Sequence, residues 1–180
     1  MTIPNLLTLA RILLTPVLAW LLLMKSMTAA FFVFFVAGLT DALDGLLARV
    51  LGQKSRLGSY IDPFADKFLL TTCFLLLWKI GEIPFWLIVM TVGRDLGIVG
   101  GFFFLYLCNV RFEIRPLASS KLTTLFELGT IFALLGKSIL ELPAWIYSSL
   151  FFVTAGLSVV SGAQYFLRGM SLLRQSKSQK

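Results

Sequence analysis

The chain has 180 residues, 58% of them hydrophobic and only 14% charged, with no histidine and a formal net charge of +7. Soluble domains carry about 25% charged residues, so this composition, with a mean hydropathy of +0.88, excludes an ordinary soluble fold and points to an integral membrane protein. It also excludes His-ligated metal and His general bases, and the basic residues lack the interleaved aromatics of a base-stacking surface, so nucleic acid is not the expected partner.

Apolar runs near 20 residues recur along the chain and predict six spanning helices. The first covers Asn5 to Met24. Arg11 lies inside its apolar run and no small-residue cleavage site stands out, which argues for a retained helix rather than a cleaved signal. The second runs from Thr28 to Val50 and the third from Tyr60 to Ile80, with Gly52 and Gly58 between them. The fourth covers Pro84 to Cys108, the fifth Ser119 to Leu140 and the sixth Pro143 to Leu173, with breaks at Gly81, Pro84, Pro116 and Pro143. Cys73 and Cys108 sit within apolar runs and read as small hydrophobes rather than as a disulfide.

The expected fold is therefore an all-α integral membrane protein with six transmembrane helices. One membrane domain occupies 1–173, followed by a polar tail, 174–180, expected to fray. Twelve of the sixteen Lys and Arg residues fall on ends and loops that would share one face, Arg94 within the fourth helix belongs to the same half, and Lys25, Lys79 and Lys137 fall on the other. By the positive-inside rule both termini face the cytoplasm.

The polar exception is Asp41 to Lys67, DALDGLLARVLGQKSRLGSYIDPFADK, which holds four of the nine acidic residues. Asp41 and Asp44 are three apart, and Asp62 and Asp66 four apart, so each pair shares a helix face. Gly45 and Ala48 extend the first face with almost no side chain, leaving a groove where a large ligand approaches the backbone. Each Asp deep in a spanning helix costs on the order of 2.5–3.5 kcal/mol by insertion scales. A structural ion network with Arg49, Arg56 and Lys67 offsets that cost, but it leaves the small residues of the same segment unexplained. Close-spaced carboxylates without Cys or His suit hard divalent cations such as Mg²⁺ or Mn²⁺, which keep positions open for phosphate oxygens.

The pattern Asp41-x-x-Asp44-Gly45-x-x-Ala48-Arg49, eight residues, Gly58-x-x-x-Asp62-x-x-x-Asp66 resembles the signature of the CDP-alcohol phosphatidyltransferase family at every fixed position. The resemblance extends to IPNLLTLAR, GRDLG, SSKLTT and SGAQYFLRG, and so to nearly the whole chain. It implies transfer of the phosphatidyl group of CDP-diacylglycerol to an acceptor hydroxyl with release of CMP. It also implies two divalent ions on Asp41, Asp44, Asp62 and Asp66, with Asp66 as general base, and a CDP pocket lined by Gly45, Ala48, Arg49 and Gly58. A homodimer and an active site at the cytoplasmic face of a bacterial inner membrane, or its equivalent, follow from the same resemblance.

Two acceptors stay open, phosphatidylglycerol (the cardiolipin synthase branch) and glycerol 3-phosphate (the phosphatidylglycerolphosphate synthase branch). Enzymes of the second branch typically show Gly-Lys-x-Lys-Thr where this chain reads Ser120-Lys121-Leu122-Thr123-Thr124. The missing second lysine, AGLTDALDG, and Arg94-Asp95 in place of Arg-Glu point to phosphatidylglycerol. Arg94, Arg111, Arg115 and Lys121 are the candidates for the acceptor's phosphate, although positive-inside topology alone would also place basic residues there. Two other classes use membrane carboxylates. An intramembrane prenyltransferase is usually longer, with Asn-Asp-x-x-Asp motifs; a cation transporter favours a midplane site and repeated halves, and this chain has no repeat.

Overall fold

The computed structural model describes residues 3–50, 58–108 and 117–178, with side chains for 10–40, 64–108 and 117–174. The described residues form α-helices: α1 (Ile3–Leu23), α2 (Met27–Val50), α3 (Gly58–Lys79), α4 (Phe85–Leu107), α5 (Ala118–Leu135), α6 (Lys137–Leu140) and α7 (Ala144–Ser178). Among them, Phe85–Leu107 and Ala144–Arg174 are long and apolar enough to cross a membrane, and Ala10–Leu23 and Met27–Thr40 are shorter apolar stretches.

Two boundaries differ from expectation. The single helix predicted from Ser119 to Leu140 breaks at Gly136, where α5 gives way to the four-residue α6. Packing explains the glycine: a Cβ there would lie 2.8 Å from Leu140 Cδ1, 2.9 Å from Phe31 Cε2 and 3.1 Å from the Phe132 carbonyl oxygen. Glu141, at φ 44°, then ends α6 in the left-handed region, and Pro143 precedes α7. At the other end, the tail expected to fray is helical as far as Ser178. Arg, Gln and Lys in that segment are good helix formers, and they extend a helix already nucleated by its apolar body.

The chain divides into two compact units, Met1–Ile83 with Ile131–Leu142, and Pro84–Thr130 with Pro143–Lys180. In the first, α1 packs against both α2 and α3. Its buried face is Arg11, Thr15, Leu18 and Leu22, spaced three and four apart. Ala30, Phe34 and Ala37 of α2 and Leu70, Cys73, Phe74 and Leu77 of α3 supply matching buried stripes. Phe31 and Phe132 meet with ring centroids 4.8 Å apart, bringing the end of α5 into this unit. At the surface, Lys137 Nζ donates to Glu82 Oε2 at 3.0 Å. Cys73 is buried and Cys108 exposed, both as free thiols.

The second unit has a different interior. α4 packs on α7, with Leu87, Ile88, Thr91 and Arg94 as the buried face of α4. Thr123, Glu127 and Thr130 on α5, and Thr154, Ser158 and Ser161 on α7, are all buried. Small hydroxyl residues at such seams permit close helix approach and satisfy one another across it. Thr130 Oγ1 and Thr154 Oγ1 lie 2.9 Å apart, and the Thr123 hydroxyl reaches the Leu157 carbonyl at 3.2 Å.

Candidate active site

The motif residues divide between two helices of the first unit. The last turns of α2 carry Asp41, Asp44, Gly45, Ala48 and Arg49, and α3 begins at Gly58 and carries Asp62 and Asp66. The helical backbone gives the expected register: Asp41, Asp44, Gly45 and Ala48 recur at helical spacing along one face, and Asp62 and Asp66 sit one turn apart. The side chains of residues 41–63 lie outside those described, so of the four carboxylates only Asp66 has a described environment.

That environment contains a residue that motif reasoning did not assign. Arg11 Nη1 on α1 donates to Asp66 Oδ1 on α3. The Arg11 side chain is 2% exposed and that of Asp66 41% exposed. A guanidinium in an apolar helix requires a partner, because removing a charge from water is expensive unless an opposite charge and hydrogen bonds compensate. Asp66 supplies both. The interaction therefore anchors α1 to α3 and fixes the position of one carboxylate oxygen on the motif face. The sequence contained a signal for this pairing, since Arg11 is the lone charge within Ile3–Leu23, but a separation of 55 residues hides the partner.

The donor set fits a divalent cation. Every candidate ligand is a carboxylate, each pair is one turn apart, and Asp66 retains partial exposure beside its arginine. Among the described residues no three Asp, Glu, Cys or His side chains gather, and Asp41, Asp44 and Asp62 fall outside that set.

Of the acceptor candidates, Arg94 and Lys121 belong to the second unit. Arg94 on α4 is 8% exposed. Its Nη1 donates to Asp95 Oδ1 at 2.6 Å, and its Nη2 donates to Ser120 Oγ and Ser161 Oγ, both at 2.7 Å. Its buried Nε has no hydrogen-bond partner among the described residues. One side chain thus ties α4 to the start of α5 and to α7. The SSKLTT segment is held at each hydroxyl: Ser119 donates to Gln164 Oε1 at 2.6 Å, Ser120 accepts from Arg94, and Thr124 donates to the Ser120 carbonyl at 3.1 Å. Lys121 is exposed on this fixed turn. Arg111 and Arg115 lie outside the described residues. Ser120 and Ser161 lie in the SSKLTT and SGAQYFLRG segments that carry the resemblance, but neither has a role legible from sequence, because their common partner Arg94 is on another helix.

Comparison with known proteins identifies the family. A family model described as CDP-alcohol phosphatidyltransferase matches residues 1–161. The chain is 33% identical to a cardiolipin synthase (CMP-forming) of Rattus norvegicus over 193 aligned residues, covering 98% of this chain and 64% of the rat protein. It is 32% identical to a CDP-diacylglycerol–glycerol-3-phosphate 3-phosphatidyltransferase of Aquifex aeolicus, covering 96% of this chain and 98% of that protein. It is 30% identical to a probable phosphatidylglycerophosphate synthase of Mycobacterium tuberculosis, covering 97% and 86%. The chain thus spans less than two thirds of the length of the rat cardiolipin synthase, and the full length of the Aquifex protein almost entirely. With the motif register set on α2 and α3 and the match running from the first residue into α7, the chain belongs to the CDP-alcohol phosphatidyltransferase family.

Proposed function

We propose that the chain transfers the phosphatidyl group of CDP-diacylglycerol to the free glycerol hydroxyl of phosphatidylglycerol, releasing CMP and forming cardiolipin. The observation that carries the reading is the motif of Asp41, Asp44, Asp62 and Asp66 on α2 and α3, at the family's spacing. In this reading six helices span the membrane, both termini and the site face the cytoplasm, and the protein acts as a homodimer.

The roles follow from side-chain chemistry. Asp41, Asp44, Asp62 and Asp66 would hold two divalent ions, Mg²⁺ or Mn²⁺, which neutralise charge on the pyrophosphate and on the departing CMP. Gly45, Ala48 and Gly58 leave room for the nucleotide along the backbone, and Arg49 forks onto phosphate oxygens. Asp66 takes the proton of the acceptor hydroxyl. The acceptor oxygen then bonds to the phosphatidyl phosphorus as the bond from that phosphorus to the CMP oxygen breaks. Arg11 holds Oδ1, limiting the rotation of the carboxylate that receives the proton. Lys121, Arg111 and Arg115 attract the acceptor's phosphate, and the Nε of Arg94 adds a buried donor.

Position 123 supports phosphatidylglycerol. Where the glycerol-phosphate enzymes typically carry a second lysine, Thr123 is 0% exposed, with its hydroxyl at 2.9 Å from the Ser119 carbonyl and 3.2 Å from that of Leu157. It is committed to the contact between α5 and α7. The second reading, glycerol 3-phosphate, is favoured by the near-complete alignment with the Aquifex protein. The test offers each acceptor separately to the purified protein with CDP-diacylglycerol and Mg²⁺ or Mn²⁺. Cardiolipin formed from phosphatidylglycerol, with no product from glycerol 3-phosphate, is the expected result. Phosphatidylglycerolphosphate as the product would select the second reading, and absence of CMP with either acceptor would overturn both.

A further inference from the structure

A five-residue pattern, too short to mark repeated halves, occurs twice in the chain, as Glu82-Ile-Pro-Phe-Trp86 and Glu141-Leu-Pro-Ala-Trp145. Each copy opens a helix of the second unit in the same way. Pro84 and Pro143 stand immediately before α4 and α7. Each proline carbonyl accepts the N–H three residues on, from Leu87 at 3.1 Å and from Ile146 at 3.0 Å. Proline suits this entry because the first turn of a helix has no use for its missing N–H. The turn thereby makes the tryptophan the second residue of the helix in both copies. Trp86 stacks on Phe152 with ring centroids 5.5 Å apart. Phe152 lies about 10 Å along α7 from Trp145, so Trp145 is the farther out of the two indoles.

The first unit carries the other two tryptophans, again at helix ends. Trp20 stands three residues before the end of α1, and Trp78 one before the end of α3. Exposed Lys25 and Lys79 follow them in the chain. All four indoles are exposed, from 38% at Trp86 to 68% at Trp145. No tryptophan lies beside the transfer motif or SSKLTT. An indole has an apolar body and one N–H donor, which favours the layer where hydrocarbon meets headgroups, and a lysine just beyond it reaches water.

We propose that these four indoles seat at the boundary between headgroups and acyl chains, so that the lipid–water interface itself is the partner of this surface. The order along each helix end matches that boundary: a charged residue, then the indole, then apolar helix. A second copy of the chain is the poorer occupant, because it would cover apolar surface, whereas each indole here has charge on one side and apolar helix on the other. The headgroup layer is about 5–7 Å thick on each side of a bilayer. The separation along α7 therefore sets Trp145 among the headgroups and Trp86 at the top of the acyl region. In the six-span reading all four helix ends reach the leaflet opposite the transfer motif, and the sidedness rests on that reading.

Fluorescence provides the test. Four variants, each keeping one tryptophan and carrying Phe at the other three positions, would be reconstituted in vesicles of phosphatidylethanolamine with phosphatidylglycerol. The vesicles contain lipid brominated either near the glycerol or near the chain ends. Circular dichroism checks folding, and wild type, with all four tryptophans, gives the pooled ratio should a variant fail to fold. Each indole is expected to be quenched at least about twofold more by the shallow bromine than by the deep one. Iodide in the water is expected to quench Trp145 about twofold more than Trp86. In vesicles sorted by the face that labels Cys108 with an impermeant maleimide, iodide should act from the opposite face. Stronger quenching by the deep label, no quenching by either label, greater iodide access to Trp86, or iodide access from the face that labels Cys108 would overturn the proposal. Failure of CMP release in the acceptor assay would leave this result untouched.

Discussion

Asp66 is both the last residue of the family motif and the partner of Arg11, a buried cation. These two duties separate in measurement. Asp66→Asn removes the proposed proton acceptor and proposed metal ligand, and is expected to lower CMP release by about 10²-fold or more. Arg11→Lys keeps the charge but loses the planar fork that fixes Oδ1, so kcat should fall roughly tenfold while KM for CDP-diacylglycerol changes little. Arg11→Leu should also cost about 1–2 kcal/mol of stability, below the 3–5 kcal/mol of a fully buried broken pair because Asp66 is part exposed. A thermal scan in detergent measures the stability term, and steady-state kinetics measure the other. A rise in KM with kcat unchanged would assign Arg11 to substrate binding instead of carboxylate positioning.

At the scale of elements, the seams of the second unit are held by side-chain hydroxyls within largely apolar helices. Thr130 and Thr154 face each other at 2.9 Å with both residues fully buried. A double-mutant cycle with Thr130→Val and Thr154→Val should give a coupling of about 0.6 kcal/mol, the usual value for hydrogen bonds between membrane helices. A coupling near zero would mean that the seam depends on shape alone. The break between α5 and α6 makes a sharper demand. Gly136→Ala forces a Cβ to 2.8 Å from Leu140 Cδ1 and 3.1 Å from the Phe132 carbonyl oxygen. Overpacking of this kind should cost about 1–3 kcal/mol in unfolding experiments.

For the whole molecule, the sequence made the helices and the transfer motif legible and left the long-range contacts hidden. Apolar runs placed α2, α3 and α4 within a few residues because connecting segments punctuate them with Gly, Pro and charge. The carboxylate register was legible because helical spacing is a local property. The break at Gly136 was not, since part of what requires a glycine there is Phe31, far along the chain, whose Cε2 would stand 2.9 Å from a Cβ. Nor was the buried polar seam, whose Thr and Ser residues differ from their apolar neighbours only through partners on other helices. Arg94 was read as an acceptor contact; its bonds to Asp95, Ser120 and Ser161 add a tie between three helices that no local pattern announces. The proposed topology has its own native reporter, because exposed Cys108 closes α4 while Cys73 is buried. A membrane-impermeant maleimide should label Cys108 in inverted vesicles and not in intact cells, with Cys73 unlabelled in both; labelling of Cys108 from outside would reverse the orientation.

The most direct test of the central claim is CMP release from CDP-diacylglycerol, followed against divalent-ion concentration in wild type and in Asp41→Asn, Asp44→Asn, Asp62→Asn and Asp66→Asn. The account predicts acceptor-dependent release that stops with chelator, returns with Mg²⁺ or Mn²⁺, and falls by about 10²-fold or more in Asp66→Asn. Undiminished release in chelator, or in Asp66→Asn, would contradict it.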